Sequence, residues 1–539
     1  MRYNIKLLIA IAVVLITGSL QAQDEVITGA DIAVTNTVNG KVSGYIHNNI
    51  YTYKGIPYGK ARRFEAAEKP ASWEGIRSST TYGAVAPLLT PTASVMDEPE
   101  FVFDHDWGFT NEDCLSINVW TPGISDDKNR PVLFWIHGGG FTAGSSHELP
   151  SYDGENLSKK GDVVVVSINH RLNVLGFLDL AAYGDKYKHS ANNSILDMVL
   201  ALEWVKDNIA NFGGDPANVT IYGQSGGGAK VNTLMAMPKA KGLFHKAINQ
   251  SGSFRGGILE KEDTAAIAAE TLEILGLEAS EVDSLQTIAF SDLANASSKA
   301  LKNVEAKMKA TGKPIMSFGL GWGPSVDGED LPYQTASAEA LALSKDIPLL
   351  IGTVKNEFAP FPNMRFVGAS DETIMSHIRE QYKDKADAYI AAVRKAYPDD
   401  TAAKDLIDVD VMFRPGAVTQ ANSKSAIDGG ADVFMYLFTW QSPVFDGKYK
   451  ALHCMELPFV FDNIDLANHM TGGGKQAHEL ADKMSQAWIN FAKTGNPNHA
   501  GLPEWPAYNN SNTSTMHFNN TCVVKPQLDK ELFQLVSGN

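Results

Sequence analysis

The sequence contains the stretch VTIYGQSGG at residues 219–227, where an apolar, β-branched run leads straight into a glycine-rich turn with a serine at its centre. The run Val219–Tyr222 predicts a buried β-strand. Gly223–Gly227 fits a G-x-S-x-G elbow, in which a serine stands on a sharp turn between a strand and a helix. Its glycines permit a close-packed turn, and the helix N-terminus adds partial positive charge. We therefore predict that Ser225 is a nucleophile; the alternative is a Gly/Ser turn without chemistry.

The segments on either side of this elbow alternate between strand-like and helix-like patterns. Short runs in which apolar residues follow one another without alternation are typical of buried parallel strands. Apolar residues at helical spacing predict a helix from Ser194 to Asn211, which Gly213–Pro216 ends. The order predicts an α/β protein of the α/β-hydrolase type, with a doubly wound, mostly parallel sheet and helices on both faces. The further predicted segments are strands at Val132–Ile136, Val163–Ile168, Pro348–Ile351 and Val433–Phe438 and a closing helix at Ala477–Ala492.

Two charged stretches of helical texture, residues 258–312 and 370–408, interrupt the strand-bearing segments. We expect them to be helical insertions over the sheet that form a lid or the wall of a gorge. The alternative is that they only cover an edge of the sheet. No linker separates independent units, so residues 23–539 are expected to form one domain.

Composition and charge exclude several classes of partner. The 539 residues include 62 acidic and 46 basic side chains, a formal net charge of −16. Bulk electrostatics of this sign disfavours binding to nucleic acid or to an anionic membrane surface. The 44% of hydrophobic residues and the absence of repeats are ordinary for a globular protein with a substantial core.

The first 22 residues have the three parts of a secretory signal peptide. Arg2 and Lys6 precede the apolar run Leu7–Thr17, and small residues lead to Ala22. The run is short for a membrane span, so we predict cleavage after Ala22, no stable span and a secreted or periplasmic protein. Retention as an uncleaved anchor is the alternative.

Cysteine and histidine usage gives little support for cross-links or metals. The three cysteines, Cys114, Cys454 and Cys522, allow one disulfide at most. Neither they nor the histidines cluster with the spacing of metal ligands. We therefore expect no metal and no cofactor.

A second glycine-rich loop supplies what a serine nucleophile needs besides a base. Residues 136–141, IHGGGF, follow a predicted strand. Glycine amides can approach a developing oxyanion because no side chain intervenes, and such loops form oxyanion holes in this fold. We predict that Gly139 and Gly140 donate to the oxyanion together with Gly226, and that His137 is a structural hydrogen-bonding residue.

With these motifs the chain resembles the type B carboxylesterases, the family that includes the cholinesterases. The segment EDCLSINVW at residues 112–120 is similar to the family's E-D-C-L-x-L-N-x-W signature. The resemblance implies an α/β-hydrolase fold and a serine esterase. It spans nearly the whole chain after residue 22 and extends to GIPY at 55–58, Arg63-Phe64, FGGDP at 212–216, QSG at 250–252 and TGNP at 494–497.

The resemblance also assigns the remaining members of a catalytic triad. Glu357, in GTVKNE at 352–357, resembles the acid of the family's G-x-N-x-D-E-G segment. His453, in HCMELPFVF at 453–461, resembles the histidine base of H-x-x-E-[LI]-x-[YF]-V-F. Glu357 would orient the imidazole, and His453 would take the proton of Ser225 and return it to the leaving alcohol. Ser251 matches a family serine beside the triad; the alternative for it is a helix or turn cap.

The chain departs from the family pattern at several positions. Gln224 stands where cholinesterases carry Glu, which weakens any case for cationic choline esters. Gly226 replaces the more usual Ala and should keep the donor while loosening the turn. Phe358 follows Glu357 where the family usually has Gly, so the local turn must differ.

Another departure concerns the loop Pro87–Asn111. The family's upstream cysteine is Ala86 in this chain, so Cys114 lacks its usual partner and the loop is not stapled. We expect a mobile loop that helps to shape the pocket mouth. It carries the aromatic residues Phe101, Phe103, Trp107 and Phe109.

These patterns together predict a cofactor-free hydrolase of small-molecule carboxylic esters that works through an acyl-enzyme. Two alternatives stay open. The same triad serves amides, carbamates and lactones, and some cholinesterase-like relatives are binding proteins without a working site. Those relatives lack triad residues, whereas Ser225, Glu357 and His453 are all present here.

Overall fold

The computed structural model describes residues 25–89, 97–253, 257–313, 315 and 319–537. The predicted signal peptide, residues 1–22, lies outside the described residues. The described strands are β1 Val26–Ile27, β2 Val34–Thr37, β3 Gly40–Ser43, β4 Tyr45–His47, β5 Ile50–Pro57, β6 Ile76–Ser78, β7 Ser116–Thr121, β8 Arg130–Ile136, β9 Val164–Ile168, β10 Gly214–Gln224, β11 Lys246–Gln250, β12 Leu259–Glu260, β13 Ser325–Val326, β14 Leu349–Val354, β15 Val433–Phe438, β16 Thr515–Phe518 and β17 Val523–Lys525.

The α-helices pack around these strands. They are α1 Asp97–Phe103, α2 Glu155–Gly161, α3 Asn173–Phe177, α4 Asn193–Asn208, α5 Gly226–Met235, α6 Lys261–Leu275, α7 Phe290–Ala310, α8 Ala338–Leu343, α9 Asp371–Tyr382, α10 Ala386–Ala396, α11 Phe413–Ser425, α12 Leu457–Val460, α13 Asn468–Thr471, α14 Lys475–Thr494 and α15 Lys530–Ser537. No helix within the described ranges is long and apolar enough to cross a membrane.

A sheet of twelve strands organises the molecule, in the order β1-β4-β5-β7-β9-β8-β10-β11-β14-β15-β16-β17. From β9 to β16 every neighbouring pair is parallel, and the outer pairs are antiparallel. In such sheets ligands bind beyond the carboxyl ends of the parallel strands. The elbow serine follows β10 at that edge, which confirms the predicted placement.

Both faces of the sheet are buried, which explains the unbroken apolar runs in the sequence. Along β8 and β10, Phe134 and Ile221 belong to one hydrophobic cluster. Their neighbours Trp135 and Tyr222 belong to the other. All four side chains are fully buried because successive residues of a strand point to opposite faces. Helices α4 and α5 cover the first face and α14 the second, so the prediction of helices on both faces is confirmed.

The predicted core elements are present, with ends that differ by a few residues. The predicted helix Ser194–Asn211 is α4, continued by a 3-10 turn at Ile209–Phe212. The predicted closing helix Ala477–Ala492 is α14. Helix ends depend on local capping, so a shift of two residues is expected from pattern alone.

The two inserted stretches behave differently. Residues that flank α6 and α7, among them Ile258 and Leu259, line the large cavity above Ser225. The second stretch, which holds α9 and α10, contributes no described residue to that lining, and α10 packs against α15 instead. The gorge wall on that side comes from α11, a few residues beyond the predicted stretch.

The loop Pro87–Asn111 needs a correction. Part of it is the helix α1, Asp97–Phe103, which contacts α13, and an ion pair joins Glu98 to Lys448. Residues 90–96 lie outside the described residues. The sequence gives no apolar periodicity long enough to predict this short helix, because tertiary packing stabilises it. Cys114 is free and buried, as predicted from the missing partner at Ala86.

Candidate active site

The predicted nucleophile stands on a strained turn between β10 and α5. Ser225 has φ 57° and ψ −125°, and its N–H donates to the Gln250 carbonyl of β11 at 2.8 Å. A Cβ on Gly227 would lie 2.0 Å from the Ile136 carbonyl oxygen of β8. The turn can therefore pack against the neighbouring strand only with glycine at 227. This close packing holds Ser225 at the edge of the sheet, where its side chain lines a cavity.

Glu357 and His453 come together although 96 residues separate them. Glu357 follows β14, and His453 lies between β15 and α12. A short hydrogen bond joins His453 Nδ1 to Glu357 Oε2, and the His453 N–H donates to the Glu357 carbonyl at 3.1 Å. The ring and the backbone of the histidine are thus fixed to the same acidic residue.

The Glu357 carboxylate is held on its other oxygen as well. Oε1 accepts hydrogen bonds from Ser251 Oγ at 2.6 Å and from the Val354 N–H at 3.0 Å. Ser251 follows β11, so carboxyl ends of neighbouring strands supply the contacts. Ser251 therefore lies beside Glu357, and its side chain bonds the acid rather than a helix or turn.

Burial dominates the ionisation of the pair. It lowers the pKa of His453 to about 4, against the nearby carboxyls of Glu456 and Asp410, which raise it. Burial also raises the pKa of Glu357 well above its ordinary value, as does the Asp410 charge, while the Ser251 hydrogen bond lowers it. His453 is therefore neutral at neutral pH, with its Nδ1 proton directed to Glu357 and Nε2 unprotonated, so that Nε2 is a hydrogen-bond acceptor.

Gln224 and Phe358 shape the surroundings of the imidazole. Gln224 is fully buried, and its Nε2 lies 3.3 Å from His453 Nε2. Its Oε1 accepts from Cys454 Sγ at 3.2 Å. Phe358, which stands where glycine was expected, packs on the His453 ring with centroids 4.1 Å apart. In this arrangement the His453 ring makes hydrogen bonds to Glu357 and Gln224. We infer a catalytic interaction between Ser225 and His453 because both residues line the same cavity.

The glycine loop after β8 lies next to the elbow. Gly139 and Gly140 both have left-handed φ values, 76° and 63°. A Cβ on Gly226 would lie 2.2 Å from Gly140 O and 2.5 Å from Gly140 N. The missing side chain at 226 therefore lets the loop approach the helix N-terminus. This contact explains why the chain has Gly where Ala is more usual.

The structure also brings in residues that the sequence interpretation missed. Lys230 of α5 is fully buried, and its ammonium donates to the carbonyl oxygens of His137 and Gly138 at 3.0 and 3.3 Å. Glu148 is a buried carboxyl in the cavity wall. Lys230 is the one charged residue of the stretch Gly226–Met235, and that was the signal that could have identified it.

One cavity of about 1660 Å³ contains these groups. Gly139, Gly140, Gln224, Ser225 and His453 all line it, whereas Glu357 and Ser251 lie behind them. Trp107 is part of its wall. Other large apolar side chains of the wall include Phe103, Phe141, Trp322, Phe358, Met412 and Phe413.

Phe101 and Phe109, which were predicted to share this role, are more than half exposed and do not line the cavity. Across the described ranges no group of three or more His, Cys, Asp or Glu side chains is arranged to hold a metal ion.

The doubly wound sheet and the serine elbow at its carboxyl edge define an α/β-hydrolase. A sequence model of the carboxylesterase family matches residues 31–536. The para-nitrobenzyl esterase of Bacillus subtilis (strain 168) is 35% identical over 510 residues, which cover 92% of this chain and 97% of that protein. Carboxylesterase 1D of Rattus norvegicus is 33% identical over 521 residues, or 88% and 87% of the two chains.

Solved structures agree with this assignment. An esterase from anaerobic Clostridium hathewayi that can hydrolyze aliphatic aromatic polyesters superimposes with a TM-score of 0.83 and 36% identity, covering 94% of this chain and 98% of that chain. The chain belongs to the type B carboxylesterase family, and it is a serine carboxylic ester hydrolase.

Proposed function

We propose that Ser225, His453 and Glu357 hydrolyse carboxylic esters as a catalytic triad through an acyl-enzyme. The observation that carries this proposal is the Glu357 to His453 hydrogen bond, which leaves the opposite side of the imidazole in the same cavity as the strained Ser225. A neutral imidazole fixed through Nδ1 is the base that a serine hydroxyl requires.

In the first half-reaction Ser225 Oγ attacks the ester carbonyl carbon while His453 Nε2 takes its proton. The Gln224 amide has to give way at Nε2 for this transfer. The tetrahedral intermediate then expels the alcohol, which receives the same proton from His453. In the second half-reaction water attacks the acyl-enzyme by the same route and releases the acid. Glu357 keeps its hydrogen bond to His453 Nδ1 and so holds the imidazole in one tautomer and orientation through both half-reactions.

The N–H groups of Gly139, Gly140 and Gly226 form the proposed oxyanion hole. The left-handed φ values of the two loop glycines, and the close approach of Gly140 to Gly226 at the start of α5, support this assignment. Fixed donors of this kind stabilise the charge that develops on the carbonyl oxygen. Ser251 assists indirectly because it orients the Glu357 carboxylate.

The substrates we propose are bulky, uncharged esters. The cavity is larger than an ordinary small-molecule pocket, and aromatic side chains form much of its wall. Gln224, which lines the cavity, carries no negative charge, whereas cholinesterases have Glu at this position. The esterase from Clostridium hathewayi acts on polyesters with aromatic groups, which is consistent with a broad apolar site.

We further propose that the protein is exported, with residues 1–22 removed as a signal peptide. The support is the charged start, apolar run and small residues of that segment. Mass spectrometry of the protein from the culture medium or periplasm would find Gln23 as the first residue, and a retained Met1 would contradict cleavage.

Active-site labelling tests the central proposal. The wild-type protein should react with a fluorophosphonate probe and cleave short-chain nitrophenyl esters, and Ser225→Ala should do neither. Ser485→Ala is the matched control, because Ser485 is a buried serine on α14 that bonds its own helix backbone. A wild type that neither labels nor hydrolyses would support a binding protein instead. Higher turnover on a matched amide than on the ester would show that the protein cleaves amide bonds in preference to ester bonds.

A further inference from the structure

A buried lysine lies directly behind the glycine loop. Lys230 is on the second turn of α5, five residues after Ser225, and has no exposed surface. Its Nζ donates to His137 O at 3.0 Å and to Gly138 O at 3.3 Å, bridging 93 and 92 residues of sequence. A buried ammonium costs free energy unless it is paired and hydrogen-bonded, so these contacts define where the side chain must lie.

The His137 carbonyl shares a peptide unit with the Gly138 N–H, and the Gly138 carbonyl shares one with the Gly139 N–H. The described chain has no cis peptide bonds, and in a planar trans peptide the C=O and the N–H point in opposite directions. A Gly138 carbonyl that faces Lys230 therefore turns the Gly139 N–H away from Lys230. His137 Nδ1 lies 3.1 Å from the same Gly138 oxygen. Lys230 and His137 thus supply two donors that fix the orientation of this peptide plane.

Charge adds to this geometry. Hydrogen bonds polarise one another along a chain, so a donor on the carbonyl strengthens the N–H of the same peptide unit. Burial lowers the pKa of Lys230 to about 7, and Glu148 opposes that shift. Burial raises the pKa of Glu148 to about 7, and Lys230 opposes that shift in turn. The ammonium and the Glu148 carboxylate therefore stabilise each other's charged form.

The other titratable groups near Lys230 are two histidines. His137 and His170 stack with centroids 4.7 Å apart, and both are buried. Burial, and then the charge of Lys230, lowers the pKa of each well below its ordinary value. Both rings are therefore neutral at neutral pH, so the positive charge behind the loop is that of Lys230 in its protonated form, which the Glu148 carboxylate favours.

We propose that Lys230 is a positioning residue of the oxyanion hole: its ammonium holds the His137 and Gly138 carbonyls so that the Gly139 N–H faces the substrate, and it places positive charge behind the developing oxyanion. This inference rests on the proposed triad mechanism and adds a component that neither the serine elbow nor the glycine loop contains. Lys230 is fully buried and does not line the cavity, so it acts through the loop and not by contact with substrate.

The test compares Lys230→Met with Lys230→Gln. Methionine keeps the length and apolar character of the stem but removes the charge and the donors, whereas glutamine keeps an N–H donor without charge. We expect Lys230→Met to lower kcat on a nitrophenyl ester by about tenfold or more while KM stays within about twofold. Lys230→Gln should recover part of the loss.

A transition-state analogue separates this role from a purely structural one. An alkyl trifluoromethyl ketone adds the serine oxygen to form a hemiketal anion, so its binding needs the oxyanion hole. Its inhibition constant should rise by the factor by which kcat falls. The active fraction of each preparation is counted with the fluorophosphonate, so misfolded protein does not contribute to kcat.

Lys424→Met is the matched control. Lys424 is also a buried lysine, and its Nζ donates to Ser344 O at 2.6 Å and Lys345 O at 2.9 Å, with no contact to the glycine loop. We expect it to lose stability without a rise in the inhibition constant. An equal rise in both variants, or an unchanged kcat and inhibition constant in Lys230→Met, would overturn the inference. If Lys230→Met fails to fold, Lys230→Gln decides by the same two measurements.

Different results would refute the triad mechanism and the role of Lys230. A wild type that does not label, or a Ser225→Ala variant that keeps its turnover, would refute the triad mechanism. A wild type that labels while both Lys230 variants keep full kcat and full affinity for the ketone would refute only the role of Lys230.

Discussion

At the scale of single residues, unusual backbone conformations gather at the site. Ser225, Ser251 and Glu357 have φ values of 57°, 49° and 44°, and Cys454 beside the base has 71°. The first three follow the neighbouring strands β10, β11 and β14. Non-glycine residues in such conformations each cost of order 1–3 kcal/mol and persist where the surrounding structure over-determines them. Here hydrogen bonds between the strand ends supply that support.

The pH dependence of activity tests the burial of His453. The reaction requires a neutral imidazole, and burial lowers the pKa of His453 to about 4. Protonation below that pKa removes the acceptor, so the acid limb of the kcat/KM profile should have its midpoint near 4, well below any change that comes from Lys230, whose pKa is about 7. The measurement is a pH profile on a neutral ester, with circular dichroism at each pH to verify folding. A midpoint at or above 6.5 would show that carboxylates outweigh burial.

Gly226→Ala tests the packing of the oxyanion loop. The added Cβ would lie 2.2 Å from Gly140 O, so the loop must move away and take a proposed donor with it. We expect kcat to fall by about tenfold to a hundredfold, although Ala is usual here in the family. Gly474→Ala is the control, since nothing lies within 4 Å of its added Cβ. Full activity of Gly226→Ala would mean that the loop adapts without loss of the donor.

At the scale of secondary-structure elements, strand ends and short connecting segments divide the work. The parallel strands bring Ser225, Ser251 and Glu357 to one edge because all of them run in the same direction. The cavity wall comes from less regular parts, including α1 with the segment that follows it and the first turns of α11. Rigid strands thus hold the reacting groups while variable segments shape the space for the substrate.

Trp107→Ala tests the contribution of the segment after α1. The Trp107 ring stacks on His105 with centroids 4.4 Å apart and lines the cavity. Its loss should raise KM for bulky aromatic esters by about fivefold or more, since an aromatic contact contributes roughly 1 kcal/mol beyond its buried area. KM for an acetate ester should change little. Phe109→Ala, 72% exposed and outside the cavity, is the matched control, and an equal effect of both changes would argue against a specific wall.

At the scale of the whole molecule, a buried ion pair joins segments that lie far apart in sequence. The guanidinium of Arg171, after β9, makes two hydrogen bonds of 2.8 and 2.6 Å to Asp197 on α4, and the Arg171 N–H makes a third of 3.1 Å. It also donates to the Glu65 carbonyl at 2.7 Å. Both side chains are almost completely buried. The pair therefore connects the N-terminal segment, the sheet and the helix layer.

Asp197→Asn should lower the free energy of unfolding by about 3–5 kcal/mol, because it leaves the buried Arg171 charge without its partner. Asp207→Asn on the same helix breaks the exposed pair with Lys69 and should cost at most about 1 kcal/mol. Denaturant unfolding measures both. Similar losses in the two variants would show that burial does not determine the cost of breaking the pair.

The sequence by itself determined the local features. Continuous apolar runs gave β8, β9 and β15, and helical spacing gave α4 and α14, because each pattern needs only neighbouring residues. The sequence also predicted the elbow at Ser225 and the glycine loop, because the backbone geometry of both turns requires glycine. Glu357 and His453 came from the resemblance to carboxylesterases, because an isolated carboxylate or imidazole carries no local signal.

Only the tertiary structure decided the contacts between distant segments. It placed Ser251 on the Glu357 carboxylate, turned Phe358 onto the imidazole and formed α1 inside an expected loop. It also buried Lys230 behind the glycine loop, with acceptors more than ninety residues away. The physical reason is the same in each case. Hydrogen bonding and burial depend on which strands become neighbours. The periodicity of a single segment does not predict the order in which the strands of a parallel sheet pair.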